Sequence, residues 1–370
     1  MKICYVTTDS LAEGVGQSQI LPLLEGLRSK GHEVSIVSFE KHSSEDIKQA
    51  LNQSGVLWVS LHFGRRGVLG GFGRIIRLVR SIPRADVYHA RSDIPALCLI
   101  LAGKKPFLWD VRSLWMEQKK IVGGETSSLK LIARIWKYVE RFIAHRANAI
   151  NTLASALYPI LEERAKTLPE LRSVIPTCVD TKQFQLSLDV LPKKRILLSG
   201  TLNDFYDISR TREFITFAIA VGYQVRWCRP SESDNKSLPI LGLEVREIKH
   251  SKMAEEISES SFGIAICKED AGISLKGVMP TKVAEFLATG RPVVISQGMG
   301  DLDQLVKKHR VGVIASSGKS FQRVIQEIEV LLQDPLTPQR CRDLAEQHFS
   351  MKEAIVKYEN TYLKMLNATN

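Results

Sequence analysis

TTDSLAEGVGQSQILPLLEGLRSKGHEVSIVSFE, residues 7–40, reads as a loop with two glycines, a helix, and a β-strand that ends in an acid. KICYVTT (2–8) ahead of it is a further short apolar run of strand type. Ile20, Leu23, Leu24 and Leu27 give the helix one apolar stripe, and Pro22 stands near its first turn. Strand, loop, helix and strand in so short a span predict a βαβ unit, whose parallel strands are covered by helices on both faces.

The same rhythm continues. VLWVSL (56–61), DVYHA (86–90), PFLWDV (106–111), NAINTLA (148–154) and SVIPTC (173–178) read as strands. Helical patterns lie at 70–81, 94–102, 129–146 and 155–166. Residues 181–194 are polar, hold a proline, and read as a linker. The alternation then restarts with strands at 195–200, 223–228, 243–248, 262–267, 292–296 and 311–314, and helices at 207–220, 251–260, 280–289, 300–308, 318–333 and 337–346. The expectation is α/β: two Rossmann-like, doubly wound parallel-sheet domains, over 1–180 and 195–347, with a last helical segment over 348–370. Two such units face each other across a cleft in this reading, with ligands at the carboxyl ends of the strands.

The first loop has two readings. A dinucleotide fingerprint wants G-x-G-x-x-G after the first strand and an acid after the second. Gly14 and Gly16 supply the first two glycines, Gln19 takes the third place, and Glu40 stands where the acid would be. The match is partial, and the loop 9–15 is longer than a tight turn. Gly14 and Gly16 still let a ligand approach the backbone. A merely structural turn is the competing reading.

The 370 residues carry 51 lysines and arginines against 40 acids, a net charge of +11. That balance favours anionic partners. The charge concentrates in 64–85 and 129–146, both of which mix Arg and Lys with Ile, Leu, Trp and Phe. Packed helices with solvated basic faces are one reading; docking on an anionic membrane surface is the other. No nucleic-acid-binding signature is present, so no nucleic acid is expected. Met1–Ser10 lacks the pattern of a signal peptide, and the longest apolar stretch, 94–102, is too short to span a bilayer. The expected location is cytoplasmic, with the inner face of the plasma membrane as the peripheral variant. Six scattered cysteines without a CxxC pair read as buried free thiols.

KGVMPTKVAEFLATGRPVVISQGMGD (276–301) carries more chemistry. Pro280 suits the first helical position, and Gly290 followed by Pro292 suits the end. Gly277 allows close approach just ahead of the helix. The amides of Thr281, Lys282 and Val283 are expected to be unpaired and to favour an anion, and Lys282 adds a full charge. Glu285 shares their face, placed to accept bonds from sugar hydroxyls. The cluster predicts a phosphosugar or nucleotide-diphosphate site.

MPTKVAEFLATGRPVVIS resembles the donor-site segment of family-four (group 1) glycosyltransferases of GT-B architecture. GHEVSIVSF, VYHARSDIPA, PFLWDVRSLW, VERFIAHRANAINTLA, VIPTCVDTKQF and ILLSGTLNDFYD match further segments of that family in the same order. HFSMKEAIVKYENTYLKML (348–366) resembles its final helix, which returns to the first domain. The resemblance implies retaining transfer of a sugar from a nucleotide-sugar donor to a glycan or lipid-linked acceptor, in cell-surface polysaccharide or glycolipid synthesis, with no cofactor and no obligatory metal. It implies that Glu285 binds the ribose, that the helix amides and Lys282 stabilise the leaving diphosphate, and that Gly200–Thr201 lies against the phosphates. The stretch 247–253, including Lys249 and His250, would line the base, and Gly16 would sit under the diphosphate.

This sequence departs from the family pattern at three places. Gly277 stands in place of the first of two glutamates, Thr201 and Asp207 in place of a basic pair, and Asp110 in place of a cleft histidine. Arg210, Lys276 or Lys282 would then supply the missing charge. Asp110 with Arg112 reads as an acceptor-side pair or as a structural salt bridge. His89, Arg91 and Gln17 are further acceptor-side candidates. A nucleotide-sugar epimerase of similar fold, or a non-catalytic sugar-nucleotide or nucleic-acid binding protein, remain as alternative readings.

Overall fold

The computed structural model describes residues 1–42, 44–64, 67–114, 116–117, 119, 127–188, 194–230 and 238–368. Residues 65–66 of the basic segment 64–85 and 189–193 of the expected linker lie outside the described residues, as do the side chains of 127–130. The chain forms two compact units: Met1–Ile175 together with Met351–Asn370, and Pro176–Ser350.

The first unit is built on a seven-stranded parallel sheet. Its strands are β1 (Lys2–Val6), β2 (Glu33–Glu40), β3 (Leu57–His62), β4 (Val87–Arg91), β5 (Phe107–Val111), β6 (Ala149–Thr152) and β7 (Leu171–Val174), in the order β3-β2-β1-β4-β5-β6-β7. The inner strands β4, β5 and β6 are buried at every residue. That is why they lack the polar–apolar alternation of a half-exposed strand, and why polar residues within them, such as His89, Arg91, Asp110 and Asn151, are buried too. The helices are α1 (Leu21–Ser29), α2 (Glu45–Ser54), α3 (Val68–Ser81), α4 (Asp93–Leu101), α5 (Ser127–Arg146) and α6 (Tyr158–Ala165). Leu78 of α3, Cys98 and Leu99 of α4, Ile143 of α5 and Leu161 of α6 meet Val6, Phe39, Trp109 and Val111 in one core.

Three local readings change. The strand expected over 173–178 is Leu171–Val174. Ile175 still donates to Thr152 O at 3.0 Å, but Pro176 has no N–H to continue the ladder. The first helix does not begin as a regular α-helix: Gly16–Ile20 form a wider, π-type turn, and α1 follows it. Helix α2 was not foreseen; Gly55, at φ 73°, closes it.

The second unit holds β8 (Arg195–Ser199), β9 (Gln224–Arg229), β10 (Leu243–Glu247), β11 (Phe262–Ala265), β12 (Val293–Ile295) and β13 (Gly312–Ile314), in the parallel order β10-β9-β8-β11-β12-β13. Its helices are α7 (Ile208–Ala220), α8 (Met253–Ser258), α9 (Thr281–Ala288), α10 (Leu302–His309), α11 (Phe321–Gln333) and α12 (Thr337–His348). Residues Lys282–Ala288 of α9 are all buried. Phe286 fits because Gly263 of β11 has no side chain: a Cβ there would lie 2.3 Å from the ring.

The last helix, α13 (Met351–Asn367), belongs to the first unit. It packs on α1 at Gly26, where a Cβ would fall 2.0 Å from Ile355 Cδ1. No helix among the described residues is long and apolar enough to cross a membrane. All six cysteines are buried free thiols.

Each sheet reverses its strand order once, between β1 and β4 in the first unit and between β8 and β11 in the second. Ligands of open parallel sheets bind outside the carboxyl ends of the strands at such a reversal.

Candidate functional site

At the β8/β11 reversal, Gly200 follows β8 with φ 73°, a conformation that disfavours any side chain. Its N–H donates to Cys228 O at 2.7 Å and its carbonyl accepts from Trp227 Nε1 at 3.0 Å. A Cβ on Gly200 would sit 4.0 Å from Lys282 Cε, so the start of α9 comes up against this turn. Thr201, next to it, is exposed.

Lys282 is 8 % exposed, and its ammonium lies 4.1 Å from the centre of the Tyr206 ring. Nζ has no hydrogen-bond partner among the described residues. Burial pulls its pKa down to about 8, against the opposing influence of Cys267 and Glu285. A buried ammonium held only by a ring face is costly unless something anionic completes it. Sequence reasoning missed Tyr206. It lies in NDFYD, after the loop of β8, and its isolated bridge to Cys267 brings it beside β11.

Glu285, one turn further, is 5 % exposed, and its Oε1 lies 3.0 Å from His250 Nε2. That hydrogen bond raises the His250 pKa against the effect of burial. Lys249 precedes a short 3-10 turn, 250–252, and is exposed. His250 and Glu285 therefore form a polar pair beside the lysine.

The helix start differs from expectation. Pro280 is the cap rather than the first helical residue, with ψ at 127°. Its carbonyl takes the Val283 N–H at 3.0 Å, so that amide is engaged. Of the three amides expected to be unpaired, that of Val283 is therefore taken. The preceding residues, Glu269–Gly277, form tight turns broken at Gly272, φ 59°, where no helix was expected; Gly277 is buried and Lys276 exposed.

Arg210 is not a free substitute for the missing basic pair. Its Nη2 donates to the carbonyls of Ala315 and Ser316, and its guanidinium lies over the Phe321 ring. Asp207 caps α7 by accepting from Arg210 N at 2.9 Å.

In the first unit the nominated residues separate into two groups. Asp110, fully buried, takes His89 Nε2 at 3.0 Å, Asn151 Nδ2 at 2.7 Å and Tyr358 OH at 3.4 Å, with Arg112 Nε 2.7 Å away. Burial would raise its pKa, but the Arg112 charge and His89 outweigh it and hold the carboxylate well below the usual range. His89, also fully buried and with its pKa lowered by burial, is neutral: it donates from Nε2 and accepts from Tyr362 OH at Nδ1, 2.7 Å. The salt-bridge reading of Asp110 and Arg112 is the one this geometry supports, because no face of the carboxylate is open.

Arg91 and the first loop form the other group. Arg91 Nε donates to Asp9 Oδ2 at 2.7 Å across the β1/β4 reversal, while its buried Nη1 has no partner. Gly16 is required by packing: a Cβ would meet Ser10 O and Leu11 Cα at 2.4 Å. Gly14 is unconstrained, with nothing within 4 Å of a Cβ, and Gln17 is exposed with its amide on Ala12 O. Glu40 is more than a strand-end acid. It is 4 % exposed and accepts from Leu11 N at 3.0 Å, from Ser38 Oγ at 2.7 Å and from Ser10 Oγ, so it holds the loop's shape.

Residues 16–183 match the sequence profile of Glycosyltransferase Family 4. No curated protein matches the chain in sequence. Solved structures do match its fold. Anabaena Alr3699/HepE, in complex with UDP and glucose, has a TM-score of 0.69 at 14 % identity, over 98 % of this chain and all of that one. A glycosyltransferase from Rickettsia africae ESF-5 has 0.68 at 13 %, over 99 % and 98 %. AviGT4, a glycosyltransferase involved in avilamycin A biosynthesis, has 0.61 at 16 %, over 99 % and 98 %. At these identities the likeness is one of fold: two parallel-sheet α/β domains of the kind found in GT-B glycosyltransferases.

Proposed function

We propose that the protein is a glycosyltransferase that takes a sugar from a nucleotide-sugar donor. The observation that carries this reading is the buried, unpartnered Lys282 ammonium at the β8/β11 reversal, beside Gly200 and the Glu285–His250 pair. The family profile over residues 16–183 and the UDP complexes of Alr3699/HepE support it.

In this reading the donor diphosphate sits against Gly200–Thr201 and the start of α9. Lys282 and the amides of Thr281 and Lys282 take its negative charge, which grows as the bond from the anomeric carbon to the leaving oxygen breaks. Glu285, oriented by His250, accepts from the ribose hydroxyls, and residues 247–253 line the base. Transfer proceeds with retention and without a metal. The acceptor hydroxyl approaches on the face the diphosphate leaves, bonds to the anomeric carbon, and passes its proton to a phosphate oxygen. No carboxylate of this chain is assigned as nucleophile, since Asp110 is enclosed. Arg91, with its unpaired Nη1, is the acceptor-side group. The acceptor is a glycan or lipid-linked saccharide of the cell surface.

Calorimetry tests the site: Lys282→Met is expected to weaken UDP more than UMP, and Glu285→Gln to weaken both alike. Incubation with a nucleotide-sugar panel and lipid-linked acceptors tests transfer. A sugar epimer formed without acceptor would overturn the reading.

A further inference from the structure

Helix α5 (Ser127–Arg146) turns an apolar row outward. Leu131, Ile135, Tyr138 and Phe142 are 59 %, 55 %, 73 % and 41 % exposed, and Ile132 beside them is 41 % exposed. Their spacing keeps them on one side of the helix through three turns. The opposite side is the one that packs: Ala133, Glu140, Ile143 and Ala144 are buried against α4, α6 and the sheet. So α5 has two apolar faces, and only one of them has a partner among the described residues.

The outer face is also basic. Arg134, Lys137, Arg141, His145 and Arg146 are exposed around the row. The only acid in α5 is Glu140, on the inner side at 1 % exposure. There it meets Arg164, which also binds Glu117 at 2.6 Å, so it takes no charge from the outer face. Helix α3, in the same layer and separated from α5 by α4, repeats part of the pattern: Arg80 is exposed, while Arg74 and Arg77 are half-buried over the Phe63 and Phe39 rings. Phe72 and Ile76 are 62 % and 50 % exposed, and α3 has three arginines and no acid.

We propose that the outer faces of α5 and α3 dock on a bilayer containing anionic lipid. An apolar row rimmed by cations, with an aromatic hydroxyl at Tyr138, suits the boundary between acyl chains and acidic headgroups. Nucleic acid would use the cations and leave five large apolar side chains in water. The surface is independent of the donor site, and its test uses no donor.

The experiment is co-sedimentation of the full chain with vesicles of phosphatidylcholine alone or mixed equally with phosphatidylglycerol. Binding is expected with the mixed vesicles only and is expected to weaken with salt. Each cation near such a surface contributes about fivefold, so Arg134→Ala with Arg141→Ala is expected to cost roughly 25-fold. Ile135→Glu with Phe142→Glu is expected to abolish binding. Val330→Glu, at an equally exposed position of the second unit, is expected to change nothing. Unchanged circular dichroism and thermal melting in the variants confirm that the fold is kept. Equal binding to both vesicles, or loss with Val330→Glu alone, would overturn the proposal. So would a dimer in vesicle-free solution that Ile135→Glu with Phe142→Glu dissociates, since the row would then belong to a second copy.

Discussion

The two sheets reverse at equivalent places, yet treat buried charge in opposite ways. At β1/β4, Arg91 is tied to Asp9, and deeper in the same unit Asp110 is enclosed by Arg112, His89, Asn151 and Tyr358. At β8/β11, Lys282 has a ring beneath it and, among the described residues, no acceptor for its protons. Enclosed charge of the first kind holds elements together, because removing one member strands the others. Open charge of the second kind costs stability, and that cost makes sense where a ligand recovers it.

The contrast breaks most sharply at Asp110. Asp110→Asn leaves Arg112 buried without its counter-charge and is expected to lose about 3–5 kcal/mol in urea unfolding. A loss below about 1 kcal/mol would mean that the hub does not hold the unit together. Lys282→Met should do the reverse. UDP affinity is expected to fall by about 1.5–3 kcal/mol, the worth of hydrogen bonds to a charged group, while unfolding stability stays level or rises. Because burial lowers the Lys282 pKa to about 8, UDP affinity in the parent chain is expected to decline above pH 8. The Lys282→Met profile should lack that decline, and a shared decline would place the titration elsewhere.

Gly16→Ala drives a methyl group into the backbone of Ser10 and Leu11 and is expected to cost about 1–3 kcal/mol. Gly14→Ala, with open space, should stay within about 0.5 kcal/mol. Equal effects would return the loop to the status of a ligand-approach site. The smallest effect concerns His250. Its pKa is raised in the folded chain, so its contribution is complete below the ordinary 6.5 and is lost as pH rises through the folded value. His250→Gln should therefore flatten the stability profile above pH 6.5, and thermal melts across that range would show it.

Strand–helix alternation was legible because the strands are short and largely apolar, and helical stripes separate them. The donor-side cluster was legible because Pro280, Lys282, Glu285 and Gly290 act through helix geometry, which is local. What stayed hidden depends on contacts between distant segments. Tyr206 lies 76 positions before Lys282, and its role appears only when β8 and β11 are neighbours. Glu40 looked ordinary because its partners, Ser10 and Leu11, cross from another strand end. Asp110 looked reactive because a motif has no burial; its partner Tyr358, and Tyr362 that holds its neighbour His89, are more than two hundred residues away.

That distance sets an order of assembly. A chain emerging from the ribosome completes all seven strands of the first sheet by residue 174, and residues Pro176–Ser350 then build the other unit. Only then are Tyr358 and Tyr362 made. Until they arrive, His89 lacks the hydroxyl on its Nδ1 and Asp110 and Arg112 lack the one they share. The first unit is thus sealed only after the second has been made, and its polar interior stays incomplete over that interval.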